Sequence, residues 1–235
     1  MIATVFGLVR SQQVRLPRLL ALGVLGLVGV IVGLAIGLGD TEDPLKAGAQ
    51  LVNSFGLSLY APVVTLVFAS AALGEPVEDG TLAYLWLRPV PRWQVVVGAW
   101  LATLSAAGPL VIVSLVLAAV ATGGGGSLVA GTVVSASLAV LAYSGIFCAL
   151  GVFVRRPLVW GLAYILLWEG FVALAGAGAA KLAVRSYTRS ILADMTDVPL
   201  RLATVSPATS VIVPVAVGLV GLVLASRRLR TMDVP

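Results

Sequence analysis

Residues 19–38 read LLALGVLGLVGVIVGLAIGL, twenty consecutive residues without a charged side chain. A helix needs about 20 mostly apolar residues to cross the hydrocarbon core of a bilayer. Five further runs of this kind follow at 51–73, 95–121, 128–154, 158–180 and roughly 205–225. The sequence therefore predicts an all-α membrane protein with six transmembrane helices.

The overall composition agrees with a membrane protein. Of the 235 residues, 60% are hydrophobic and only 11% are charged, with a mean hydropathy of +1.08. A soluble domain carries about 25% charged residues, so this chain has too little polar surface to cover a water-soluble fold. The 26 glycines suit helices that pack closely in a bilayer. We expect one transmembrane domain over residues 1–235.

Missing residue types exclude several chemistries. The chain has no histidine, which excludes Ser-His catalysis and histidine metal sites. Its one cysteine, Cys148, cannot form an intrachain disulfide. The phosphate-binding pattern GxxxxGK[ST] is absent, because neither Lys46 nor Lys181 follows a glycine. We therefore expect no catalytic residue, no metal site and no ATP site within this chain.

The distribution of arginines predicts the orientation in the membrane. With six spans, ten basic residues fall on one side and five on the other, and the richer side is expected in the cytoplasm. We therefore expect a protein of the cell membrane with both termini in the cytoplasm. The net charge of +5 indicates this arrangement rather than binding to nucleic acid. The ten residues are Arg10, Arg15, Arg18, Arg88, Arg92, Arg155, Arg156, Arg227, Arg228 and Arg230.

The connections divide the chain into six parts. Residues 1–18 place Ile2, Val5, Phe6 and Val9 at helical spacing and predict an amphipathic helix on the inner leaflet. The two substantial connections are a cytoplasmic loop before the third helix and an outer interfacial segment before the sixth. The remaining boundaries are helices 1 and 2 at 19–73, the loop at 74–94, helices 3 to 5 at 95–180, the outer segment at 181–204 and helix 6 at 205–226.

The cytoplasmic loop has an unusual distribution of charge. Acidic Glu75, Glu78 and Asp79 precede Gly80 and Thr81, and carboxylates are favourable near the start of a helix. Prolines then end the helix, and arginines follow. This pattern predicts a short helix lying flat at the inner interface. Two interpretations remain open: docking to a cytoplasmic partner, and an ordinary interfacial elbow with solvated charges.

The same loop resembles the connection between helices two and three of ABC type-2 permeases. That family shows an acidic residue, Gly-Thr-Leu, a leucine-rich turn and Arg/Ser-Pro-x-x-Arg. The corresponding residues here are Glu75 and Glu78, Gly80-Thr81-Leu82, Leu85 and Arg88-Pro89-Val90-Pro91-Arg92. The chain departs from the family at Gly98-Ala99, where Gly-Lys is frequent. The motif covers about 25 residues, and the six-span layout covers the rest.

The resemblance implies a function in ATP-driven export. The loop would be the coupling helix that docks on a separate ATPase subunit, and ATP and Mg would bind there. Six helices would be half of a transport unit, which implies a second permease subunit, expected to be an identical copy, and two ATPases. The residues expected to contact the ATPase are Glu75, Glu78, Asp79, Gly80, Thr81, Arg88, Pro89 and Arg92.

Each polar residue inside a predicted span has two interpretations. Glu169 is the only charged residue within a predicted span, where a charge costs about 3 kcal/mol and usually faces protein or a cavity. Asn53, Ser54 and Ser58 make the second span unusually polar. These four residues line a pathway or dimer interface, or they hydrogen-bond within the fold. An ATP-independent secondary transporter or channel is the alternative function, although such proteins usually carry more intramembrane charges.

Overall fold

A computed structural model describes residues 2–78, 91–171, 177–200 and 205–232. Within these ranges the chain forms helices and their connections, without a strand, which confirms the all-α prediction. The helices are α1 (Ile2–Gln13), α2 (Leu16–Leu38), α3 (Pro44–Glu78), α4 (Arg92–Ala121), α5 (Gly125–Phe153), α6 (Pro157–Ala163, continuing through Tyr164–Phe171), α7 (Ala177–Ala180), α8 (Val184–Thr196) and α9 (Pro207–Thr231).

Five of these helices, α2, α3, α4, α5 and α9, are long and apolar enough to cross a membrane. They correspond to five of the six predicted runs. The predicted run 158–180 contains α6 and α7, and residues 172–176 between them lie outside the described ranges. The described part of the structure therefore contains five helices with the length and composition of a membrane span, one fewer than the six predicted.

Helices α5 and α9 pack side by side and run in the same direction. Near the middle of α5, Gly145 lies against Gly218 and Gly221. Further along, the Arg228 guanidinium lies 5.8 Å from the centroid of the Phe153 ring. Because both helices run the same way, the chain between them returns from one end of the bundle to the other. Shorter helices, among them α6 and α8, make this return.

One end of the bundle carries a cluster of cations, and we call it the arginine end. Arg18 at the start of α2 and Glu75 at the end of α3 form an ion pair of 2.7 Å there. Arg92 begins α4 at the same end, and Arg228 lies near the end of α9. Pro157, which begins α6, packs against Gly74. The start of α2 and the last turns of α9 therefore both lie at the arginine end of the bundle.

Glycines allow several pairs of helices to pack with their backbones in contact. A Cβ atom at Gly145 would meet the backbone of Gly218, and one at Gly33 of α2 would meet the Ala118 carbonyl of α4 at 2.5 Å. Close backbone approach at small residues is the usual way in which helices associate without a hydrophobic driving force. The outward face of α2, by contrast, exposes Leu20, Ile31 and other large apolar side chains, as a lipid-facing helix does.

The first helix packs across α4. Val5, Val9 and Gln13 recur every fourth residue on one face of α1, and all three are buried. Gly98 of α4 lies directly under Val5, where a side chain would collide. Residues 1–18 therefore contain a helix with one buried face.

Candidate functional site

The last turn of α3 carries the described part of the predicted coupling loop. Glu75 and Glu78 are both exposed at the arginine end, and Glu75 holds the ion pair with Arg18. Asp79, Gly80, Thr81, Arg88 and Pro89 lie outside the described residues. The structure thus places the acidic entrance of the loop next to the junction of α1 and α2.

Arg92, at the other end of the loop, binds within the chain. Its Nη1 donates hydrogen bonds to the carbonyls of Leu229 and Arg230 at 2.7 and 2.6 Å, with Met232 at 3.4 Å. The last carbonyls of a helix have no intrahelical donor, and a cation there also matches the helix dipole. Arg92 therefore caps the C-terminal end of α9 and joins the exit of the loop to the last helix.

The four polar residues predicted inside the spans share an irregular helical geometry. Asn53, Ser54 and Ser58 lie in the π-helical stretch Val52–Tyr60 of α3, and Glu169 lies in the π-helical stretch Tyr164–Phe171 of α6. The two stretches pack against each other. π-helical turns are rare and often mark functional positions. Sequence periodicity did not predict this geometry.

Among the residues that the structure describes, one of these three polar side chains of α3 bonds to another helix. Ser54 and Ser58 donate 2.6 Å hydrogen bonds to the carbonyls of Gln50 and Asn53 in their own helix. The Asn53 side-chain oxygen instead accepts a 2.7 Å hydrogen bond from Nε of Arg189 in α8. Arg189 is only 4% exposed, so this bond ties a buried guanidinium to α3.

Glu169 caps the N-terminus of α8. Its carboxylate accepts hydrogen bonds from the backbone N–H groups of Val184 and Arg185 at 3.1 and 3.2 Å. The Tyr164 hydroxyl donates a third at 3.2 Å. The residue before α8, Ala183, has no side-chain hydrogen-bond acceptor. Glu169 of α6 therefore provides the acceptor that a capping residue next to the helix normally provides. Glu169 is 1% exposed, and both of its carboxylate oxygens accept hydrogen bonds.

Helix α8 is thereby held inside the bundle. It ends beside Gly131, near the start of α5, where Leu192 packs on that glycine. It begins beside Glu169 of α6, five residues after Tyr164, whose ring packs edge-on against Phe147 at 6.0 Å. The N-terminus of α8 thus lies between the two ends of α5. Most residues of α8 are buried, so the part of 181–204 that is described packs into the bundle rather than along its surface.

Two buried polar side chains, Gln13 and Arg189, were not predicted from the sequence to make contacts between helices. Gln13 is fully buried and donates hydrogen bonds to the Phe68 carbonyl at 2.7 Å and to Thr103 Oγ1 at 3.1 Å. Gln13 follows Val9 by four residues, as Val9 follows Val5, and this spacing indicates that all three lie on one face of the helix. Arg189 carried no comparable signal, because its partner Asn53 is 136 residues away in the sequence.

A comparison with family models matches residues 14–174, more than half of the chain, to the ABC-2 family transporter proteins. The chain belongs to this family. A search of curated proteins finds no match. The matched range runs from the end of α1 through α6 and includes the loop that carries the Gly-Thr-Leu and Arg-Pro-x-x-Arg pattern. This ABC-2 transporter is thus a membrane protein of a permease family, and the resemblance predicted from that loop is confirmed.

The structure also accounts for the departure of this ABC-2 transporter from the family pattern. Ala99 stands where lysine is frequent, and its side chain is fully buried at the start of α4. The neighbouring Gly98 lies beneath Val5 of α1. A lysine at position 99 would have to bury its charge, which is costly without a partner. Alanine carries no charge and fits this buried position.

Proposed function

We propose that the chain is the transmembrane permease subunit of an ATP-driven ABC exporter. ATP and Mg bind to a separate ATPase subunit, and two such ATPases serve two identical copies of this chain. The family membership supports the permease assignment. The absence of GxxxxGK[ST] from the sequence supports a separate ATPase. The positive-inside rule supports assigning the arginine end, with both termini and the coupling loop, to the cytoplasm.

The observation that carries the proposal is the way the coupling loop joins the bundle. Its entrance, Glu75, pairs with Arg18 of the first span, and its exit, Arg92, caps the last span. A cytoplasmic subunit that pushed on the loop would therefore act on α2 and α9 at once. Glu78, exposed beside this entrance, is the described residue best placed to touch the ATPase. Asp79, Gly80, Thr81, Arg88 and Pro89 complete the proposed contact.

We place the translocation pathway and the permease–permease interface near the two π-helical stretches. Asn53 and Glu169 both hold α8, so a shift of α8 would alter both stretches together. Ser54 and Ser58 bond within α3 and contribute local polarity. A cargo crossing here would meet a mostly apolar wall with a few polar groups, which favours an amphiphilic cargo.

Charge reversal at the loop tests the proposal. Glu78→Arg should lower co-purification of the ATPase subunit and the ATP hydrolysis of the complex, because it opposes the proposed docking contact. Glu42→Arg is the matched control, since Glu42 is exposed in the opposite connection, between α2 and α3. Unchanged assembly and hydrolysis in Glu78→Arg would reject the docking site. A stable, transport-active protein without any ATPase would favour the ATP-independent alternative.

A further inference from the structure

An open groove of about 740 Å³ lies between α1 and α4. Its walls are almost entirely apolar. Helix α1 contributes Ile2, Ala3 and Phe6, and α4 contributes Leu101, Leu104 and Pro109. Apolar clefts of several hundred Å³ are the size that takes a flexible apolar ligand. Nothing in the coupling function uses this groove.

A cation stands at the rim of the groove. The Arg10 guanidinium lies 5.7 Å from the centroid of the Phe6 ring, which is part of the groove wall. Arg10 is exposed, and the ion pair found among the described residues uses Arg18 instead. Residues 1–39 contain no aspartate or glutamate. The positive charge at the rim is therefore not neutralised by an acidic residue of its own segment.

The surroundings of the groove are those of a bilayer-facing surface. Leu101 of the groove wall is 37% exposed, and Leu8 of α1, the helix that forms the other wall, is 50% exposed. Large exposed apolar side chains of this kind mark contact with lipid in a membrane protein. An occupant must therefore enter from the bilayer, and its polar end must remain near Arg10.

We propose that the groove holds an acyl chain of an anionic phospholipid whose phosphate pairs with Arg10. An apolar cleft with a cation at its rim matches an amphiphile with an apolar tail and an anionic head. Helices that combine an apolar face with arginines bind anionic lipid by burial and charge together. The bound lipid would complete the packing of α1 on α4. This site is independent of ATP coupling and does not depend on the proposed function.

Native mass spectrometry of the delipidated full-length chain tests the site directly. The chain is titrated separately with phosphatidylglycerol and with phosphatidylcholine of the same acyl chains. Wild type should retain the first lipid about fivefold better, which corresponds to one arginine acting on an anionic headgroup. Arg10→Gln should abolish that preference. Arg155→Gln is the charge control, because Arg155 is exposed in the turn between α5 and α6 and does not line the groove.

A second pair of variants tests the apolar part. Ala3→Phe should fill the groove and lower retention of both lipids, whereas Thr4→Phe adds the same ring at an exposed position of α1 that does not line the groove. Equal retention of the two lipids by wild type would overturn the proposal. An equal loss of the preference for phosphatidylglycerol in Arg155→Gln would also overturn the proposal, because it would indicate an effect of general surface charge. Unchanged retention of both lipids in Ala3→Phe would overturn it as well. Circular dichroism confirms that each variant keeps its helices.

Discussion

The Glu169 carboxylate accepts a 3.1 Å hydrogen bond from the backbone N–H of Val184, the first residue of α8. Glu169 thus holds the start of a helix that lies between the two ends of the bundle. Glu169→Ala should leave the N–H groups of Val184 and Arg185 without acceptors, at about 1–3 kcal/mol each. The expected result is a lower thermal unfolding midpoint in detergent and faster hydrogen exchange of these two amides.

The control for this variant is Glu78→Ala, because Glu78 is exposed and makes no helix cap in the described structure. Glu169→Gln should fall between wild type and Glu169→Ala, since the amide oxygen keeps one acceptor. Amide exchange at residues 184 and 185 that is the same in Glu169→Ala and wild type would contradict the capping role.

Gln13 anchors α1 to two other helices. Gln13→Ala should lower the free energy of unfolding by about 1–3 kcal/mol, because it removes a buried side chain that hydrogen-bonds to Phe68 and Thr103. Gln12→Ala is the matched control, since Gln12 is the same residue type, one position earlier and exposed. Chemical denaturation in mixed micelles measures the difference. Equal stability of the two variants would show that α1 does not depend on this anchor.

The crossing of α5 and α9 depends on Gly145. Gly145→Ala would place a methyl group against the backbone of Gly218, and backbone cannot move aside as a flexible side chain does. We expect a loss of about 1–3 kcal/mol or a failure to assemble. Gly23→Ala in α2 is the control, because a Cβ there meets nothing within 4 Å. It should be neutral or slightly stabilising. A well-folded, fully stable Gly145→Ala protein would contradict the described packing.

Cysteine accessibility tests the orientation. Cys148 is the only cysteine and is buried, so wild type should label weakly. With a membrane-impermeant thiol reagent on intact cells, Lys46→Cys should label, because Lys46 is exposed in the first turn of α3, at the end of the bundle that is predicted outside. Arg155→Cys and Arg227→Cys should label only after the membrane is opened. The reverse pattern would place the arginine end outside the cell and remove the proposed ATPase contact.

Hydropathy predicted the spanning helices because lipid requires long apolar segments whatever their partners. It succeeded even for α9, where Pro207 occupies the first turn and Pro214 is tolerated inside the helix. The short motif from Glu75 to Arg92 correctly predicted the family. These features are local, and a local pattern in the sequence is sufficient to predict them.

The candidate site was predicted only as a set of residue types. Asn53 and Glu169 stand out as polar groups in apolar runs, yet their partners Arg189 and Val184 come from a segment that reads as an outer interfacial helix. Burial of α8 becomes favourable only when those distant acceptors are present. The π-helical turns that present them also depend on tertiary packing, which has no periodic signature in one sequence.

We propose that an ATPase subunit docks at the arginine end beside Glu78. Glu78→Cys tests it directly, through crosslinking to a bifunctional thiol–amine reagent in membranes that contain the intact complex. We expect a crosslinked product between this chain and a protein carrying GxxxxGK[ST], and none from Glu42→Cys. A product from Glu42→Cys alone, or an ATPase that co-purifies without crosslinking to Glu78→Cys, would contradict the proposed docking site.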